Sequence, residues 1–414
     1  MAGTLPAAPP DVAPAPATYG RLLRVPGFRP LIASALFART ATQMWTVGTI
    51  LFALQRYHSP SIAGVGVFLL IFPGLVLSPV NGALLDRYGR RRLMRVDFTV
   101  AAACVTAIVA LAVANLLPVW LLLLLLSLGS LTSTLSMAGA RSLFPLTVPR
   151  DLWDRANAAD SLCYGVAQIA GPALAGWLTA AYGSKTALAV TALGFVLAAV
   201  ALRGVSEPVV ENVMTGRLFQ DVARGVRYVM RNATLRWLAV ALSAGNVGWG
   251  IVIVLLPVLV FRLGGNAAVV GGLLALEGVV GVPAALLAGR VKTEGRERQI
   301  MAAFSVLAGV ATLLFLVPAL AAVALAVVVI GIAEGPVNVS VYSLRQRRTH
   351  AAWFGRAFAI SISLNFAGMP LGSAVAGPVI TASITLAIAL AAALAAMSAL
   401  LMLTKVPAAD TSAS

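Results

Sequence analysis

Apolar blocks long enough to cross a bilayer recur along the whole chain, and this feature leaves few folds open to it. A helix rises 1.5 Å per residue, so about 20 mostly apolar residues cross some 30 Å of hydrocarbon. Val119 to Leu128 and Ala319 to Ile332 are samples of such blocks. The 414 residues are 60% hydrophobic and only 11% charged, with a mean hydropathy of +0.94, which is too little charge to cover a water-soluble surface. Period-two alternation is missing, so the spans read as helices rather than barrel strands.

Apolar windows and their polar punctuation predict twelve spans: 31–55, 60–84, 96–116, 118–140, 157–181, 184–203, 236–260, 267–289, 299–318, 320–343, 357–381 and 383–403. With the first span running outward, 26 of the 30 Lys and Arg residues fall on the cytoplasmic side. Three (Arg56, Lys185 and Arg262) fall outside, and Arg39 lies within a span. The positive-inside rule therefore puts both termini in the cytoplasm and accounts for the net charge of +16 without nucleic acid. Cys104 and Cys163 sit in apolar segments and the two histidines at distant helix ends, so neither a disulfide, a metal centre nor a cofactor is expected.

The chain divides near its middle. Residues 1–30 read as a cytoplasmic tail with no cleavable signal pattern, disordered to about Tyr19 and basic at Arg21, Arg24 and Arg29. A six-helix bundle at 31–203 is followed by a linker at 204–235, a second six-helix bundle at 236–404 and a tail at 405–414. In the linker, Leu218, Val222, Val226 and Val229 share one helical face, with Arg224, Arg227 and Arg231 elsewhere around it. Such a helix suits a lipid surface or a solvated connection. A weak repeat relates the halves: Gly82 to Arg92 recurs as Gly289 to Arg298, and Arg155-Ala156 as Arg356-Ala357. Six-helix halves with a site between them are a transporter architecture. Spans three, six, nine and twelve are bland, as expected of helices facing lipid, whereas the polar residues gather in the other spans.

The segment Gly82-Ala83-Leu84-Leu85-Asp86-Arg87-Tyr88-Gly89-Arg90-Arg91-Arg92 resembles the signature loop of the major facilitator superfamily, Gly-x-x-x-Asp-Arg-x-Gly-Arg-Arg. Gly82 would allow close helix approach and Gly89 a tight turn. Asp86 would sit at a helix N-terminus, with the arginines, Arg91 among them, pairing nearby acids. The resemblance implies that Asp86, Arg87 and Arg90 latch the halves together, against the start of span eleven near Arg356. Gly171-Pro172-Ala173-Leu174-Ala175-Gly176 looks like a relaxed antiporter motif of that family, with Ala175 and Ala167 where glycines are expected. Generic small-residue packing is the alternative. Ser59 to Val65, the linker and Met369-Pro370-Leu371-Gly372 look like the enterobactin-exporter and macrolide-efflux branch.

Charge inside a span is expensive and points to function. Arg39, Glu277 and Glu334 stand out, with Gln43, Asn246, Asn338 and Asn365 as polar company. Glu334, Asn338 and Tyr342 share a helical face, and so do Arg39 and Gln43. Desolvation favours the neutral form of a carboxyl group, which makes a membrane carboxylate a natural proton carrier. Glu334 is thus a candidate proton or cation site, with Gly335-Pro336 as a break widening access; the facilitator resemblance, in which the first and tenth helices line the central cavity, implies Arg39 as its counter-charge or an anion contact. Glu277 is a second candidate, and a structural pair is the alternative for each. Trp45, Trp249, Asn246 and Asn365 would line a cavity for an amphipathic organic molecule.

No ATP-binding signature and no nucleophile–base pair is evident, so an enzyme is not expected. The reading is secondary-active, proton-coupled efflux of a drug, antibiotic or siderophore by a monomer in a bacterial inner membrane, with sodium as a possible coupling ion in place of protons. Uptake of a small metabolite and a non-transporting membrane sensor are the alternatives. Substrate identity and stoichiometry are not written in the sequence.

Overall fold

The computed structural model describes residues 18–205, 207, 218–291, 293–350 and 354–408, except the side chains of Asp86, 218–222 and 354–359. A short helix, Tyr19–Arg24, leads into spans one to six: Phe28–Tyr57, Pro60–Tyr88, Arg90–Val113, Val119–Thr147, Trp153–Tyr182 and Ser184–Ala201. The linker helix Leu218–Arg231 precedes spans seven to ten: Ala233–Arg262, Ala267–Ala288, Glu297–Leu313 and Leu320–Arg347. Span eleven comes in two pieces, Phe354–Phe366 and Gly368–Ala382, and span twelve is Ile384–Thr404. Among the described residues the fold is all-α, with twelve membrane helices in two pseudo-symmetric halves.

Ten of these stretches are long and apolar enough to cross a membrane on composition alone. Spans one and five are 30 residues each but carry charge in their interiors. Local chemistry sets the ends. The side chains of Ser59, Asn232, Asn266 and Ser383 each accept a hydrogen bond from the backbone N–H three residues on, capping spans two, seven, eight and twelve. Gly89 takes φ +87° between spans two and three, a backbone setting that disfavours a side chain.

Span eleven departs from the single helix expected. It is interrupted at Ala367, and a Cβ on the next residue, Gly368, would stand 2.1 Å from the Ser243 carbonyl of span seven. The chain turns where the two backbones meet. The opposite holds in span ten: Gly335-Pro336 does not break it, and the helix runs through Pro336 with Gly335 packed on the backbone of Ala284 and Ala285.

The core shows how the halves meet. Call the end of the bundle that carries the signature loop and the linker the basic end, and the other the far end. One buried cluster spans both halves at the far end, joining Met44, Ile50 and Ala63 to Ile251, Val254, Leu274 and Ala376. Spans one and seven are wholly buried there, over residues 44–53 and 250–260. Toward the basic end the core separates into a cluster of the first half, including Leu22, Phe28 and Leu143, and one of the second, including Leu238, Met301 and Met402. The halves are closed at the far end and parted at the basic end.

The candidate transport site

Backbone-to-backbone contacts between small residues make the far-end closure. A Cβ built on Gly64 of span two would lie 2.1 Å from the Ser373 carbonyl of span eleven, and one on Gly377 would lie 2.1 Å from Ser61 Cα. On the other flank, Gly176 of span five meets Gly271 of span eight, where an added Cβ would stand 2.7 Å from the Gly271 Cα. The Gly171-Pro172…Gly176 motif therefore has partners in space. Gly176 packs across the halves, while Gly171 packs inside its own, with an added Cβ 2.4 Å from Gln43 Cβ of span one. This places Gln43 against span five.

At the parted end, span ten presents Glu334, Asn338 and Tyr342 along one accessible face. Asn338 Nδ2 donates to Glu334 Oε1 at 3.5 Å, one turn along the helix. Tyr164 of span five, on the other half, is 50% exposed, with the Arg39 guanidinium 5.8 Å from its ring centre. The accessible face of span ten and the exposed Tyr164 of span five thus lie on opposite halves of the parted end. Glu277 of span eight packs its backbone against Gly331 of span ten, one turn before Glu334. Asn246 Nδ2 donates to Asn365 Oδ1 at 2.7 Å, tying span seven to span eleven.

Several expectations need correction. Arg39 is not the counter-charge of Glu334. Its Nη2 lies 2.7 Å from Asp160 Oδ1 in span five, its Nη1 donates to the Asp160 carbonyl at 2.8 Å, and its guanidinium stands 5.8 Å from the centre of the Tyr164 ring. Asp160 escaped notice because it lies close to the basic end of its span. Arg39, another charge near the same end of a neighbouring span, was the signal that could have found it. Trp45 is not a cavity residue: it is 4% exposed, and its ring packs edge-on to Phe195 and against Gly129. Trp249 packs against the far-end core.

The signature loop also differs in detail. A Cβ on Gly82 would meet nothing within 4 Å, so no close approach calls for that glycine. Arg87 lies over the neighbouring Tyr88 ring at 5.3 Å. The backbone N–H groups of Arg90 and Arg91 both donate to the Glu207 carboxylate at 2.9 Å. Arg90 Nη1 is 3.7 Å from Glu207, and Arg91 Nη1 donates to the Val205 carbonyl. Glu207 thus caps span three and complements its helix dipole. The side chains of Asp86 and Arg356 lie outside the described residues.

Asp97 was also passed over. It is 4% exposed in span three and accepts a hydrogen bond from Thr132 Oγ1 of span four at 2.7 Å. In the linker, Val229 is buried with Leu235 and packs on Ile360 of span eleven, whereas Val226 is 40% exposed, so the predicted apolar face is divided. Leu218 and Val222 lie outside the described side chains.

A two-lobed helical bundle, closed by glycines at one end and opening at the other onto a carboxylate, defines a membrane transporter. The sequence signature of the Major Facilitator Superfamily matches residues 31–373, and the chain belongs to that family. It is 37% identical over 402 residues to the uncharacterized MFS-type transporter y4rN of Sinorhizobium fredii, covering 95% of this chain and 98% of that one. It is 28% identical over 349 residues to the multidrug efflux pump Tap of Mycobacterium tuberculosis, covering 80% and 81%. A more distant match, 23% over 159 residues, is to macrolide efflux protein A of Streptococcus pyogenes and covers 38% and 39%. Among solved structures, the nucleoside transporter NupG superposes with a TM-score of 0.70 at 11% identity, over 91% of this chain and 98% of that one. The protein is a multi-pass membrane transporter and not an enzyme.

Proposed function

We propose that the chain exports a small amphipathic organic compound in exchange for protons, by alternating access. The supporting observation is Glu334: a carboxylate in the interior of span ten, on the accessible face it shares with Asn338 and Tyr342 where the halves part. By the positive-inside rule the basic end is cytoplasmic, in a bacterial inner membrane, so the molecule stands open inward. In that state Glu334 exchanges its proton with the cytoplasm as substrate enters, and the halves at 31–203 and 236–404 then rock about the Gly64–Ser373 and Gly176–Gly271 contacts. The Arg39–Asp160 pair holds spans one and five together beside the path. Asp86 and Arg87 serve as the latch when the basic end closes. Similarity to Tap, a multidrug efflux pump, favours an organic substrate leaving the cell over a metabolite entering it.

The test uses proteoliposomes with an imposed proton gradient and a panel of antibiotics and siderophores, reading compound-triggered pH change. One compound should release protons, and Glu334→Gln should abolish the release while still binding the compound. Full gradient-driven transport by Glu334→Gln would refute the carrier role, and movement independent of the gradient would point to facilitated diffusion instead.

A further inference from the structure

Spans three and six meet on the outside of the first half, away from the cleft. Between them, at the basic end, runs a groove of about 230 Å³ lined by Arg95, Phe98, Thr99 and Ala102 on one side and by Val196, Ala199, Val200 and Arg203 on the other. On each helix the lining residues follow helical spacing from an arginine at the basic end inward, one face of two turns, or roughly 10 Å of depth. Phe98 and Ala102 are buried and form the floor, while Val196 and Val200 are 45% and 47% exposed and form the wall. The groove is thus charged at its mouth and apolar along its length.

The second half shows what such arginines do when they are structural. Arg298 near the start of span nine and Lys405 at the end of span twelve hold places in the second half like those of Arg95 and Arg203 in the first. Arg298 Nη1 donates to the carbonyls of Leu403 at 3.3 Å and Val406 at 2.7 Å, tying span nine to the end of span twelve. Lys405 lies 5.6 Å from the Trp237 ring centre. Both cations are taken up by their own half. No ion pair, side-chain hydrogen bond or ring contact engages the guanidinium of Arg95 or Arg203 among the described residues, although both flank one apolar groove. Two unengaged cations at the mouth of an apolar groove fit a phosphate bearing an acyl chain.

We infer that the groove between spans three and six is a binding site for an anionic phospholipid, with its phosphate between Arg95 and Arg203 and an acyl chain along Phe98, Ala102, Val196 and Val200. Position decides between a lipid and a soluble phosphate, because the groove opens sideways on a lipid-facing pair of helices. Basic pockets between helices on the cytoplasmic side of a membrane take such headgroups.

The experiment is native mass spectrometry of the purified full-length protein, titrated with phosphatidylglycerol, with phosphatidylcholine and with inorganic phosphate. Each basic side chain near an anionic surface is worth about 1 kcal/mol, so Arg95→Gln/Arg203→Gln should weaken phosphatidylglycerol binding roughly thirty-fold. Val200→Trp fills the groove without touching charge and should weaken binding as well, while Arg92→Gln, outside the groove, should not. Neither phosphatidylcholine nor inorganic phosphate should compete. The assignment is overturned if phosphatidylcholine binds equally, if inorganic phosphate displaces the lipid, or if the Arg95/Arg203 double variant or Val200→Trp binds as the native chain does.

Discussion

Adding one methyl group at the far end should change which way the molecule faces without unfolding it. In Gly64→Ala, the new Cβ would stand 2.1 Å from the Ser373 carbonyl oxygen. Carbon and oxygen do not approach closer than about 3 Å, so spans two and eleven must part by roughly 1 Å. Overpacking of this kind costs about 1–3 kcal/mol. The contact joins the two halves and exists only while the far end is closed, so the whole cost falls on that state. At 1.36 kcal/mol per factor of ten, the balance moves toward the far-end-open form by roughly 5- to 150-fold. The assay is the distance between spin labels at His58→Cys and Arg262→Cys, both exposed at the far end on opposite halves, after replacing Cys104 and Cys163 by serine. Gly74→Ala is the control. Its Cβ would lie 2.2 Å from the Ser130 carbonyl, between spans two and four of the same half, so it should lower thermal stability and leave the label distance alone. A Gly64→Ala protein with the native distance distribution, or a Gly74→Ala protein that shifts as far, would refute the reasoning.

The Arg39–Asp160 pair is about one-fifth exposed, so Asp160→Asn should cost about 2 kcal/mol, less than the 3–5 of a fully buried pair. The reversed pair, Arg39→Asp with Asp160→Arg, should recover most of it in thermal unfolding followed by tryptophan fluorescence. Removing the Glu207 cap as Glu207→Ala should cost about 1 kcal/mol and speed amide hydrogen exchange at Arg90 and Arg91, while exchange at the start of span two stays as it was.

The helices were legible because hydropathy is a property of each segment alone, whereas the contacts between segments were not. The capping serines and asparagines, and Gly89 at its turn, are local and readable. Gly171 and Gly176 were visible as a motif, but Gly271, ninety-five residues beyond Gly176, is just another glycine in an apolar run until the helices are packed. The same holds for Glu207, which caps a helix more than a hundred residues earlier. Arg39 and Glu334 are both readable as charges inside spans, but helices that line one cavity need not pair their charges, and Asp160 holds Arg39 instead. The break in span eleven is announced by Pro370, which has no N–H for the Phe366 carbonyl four residues back, though its partner is not. What only packing reveals is that Gly368, beside the break, meets the Ser243 backbone of span seven.

The far-end seal has an electrical consequence. Residues 59–64, 172–176, 267–271 and 373–377 contain no charged side chain. Opening or closing that seal therefore moves no charge through the membrane's electric field, in which one elementary charge is worth about 2.3 kcal/mol per 100 mV. On the proposed mechanism, voltage dependence of the cycle arises deeper, from proton binding at Glu334 or Glu277 or from movement of the Arg39–Asp160 pair. A transport current that responds to voltage would thus report on the carboxylates, and the outer gate would be electrically silent.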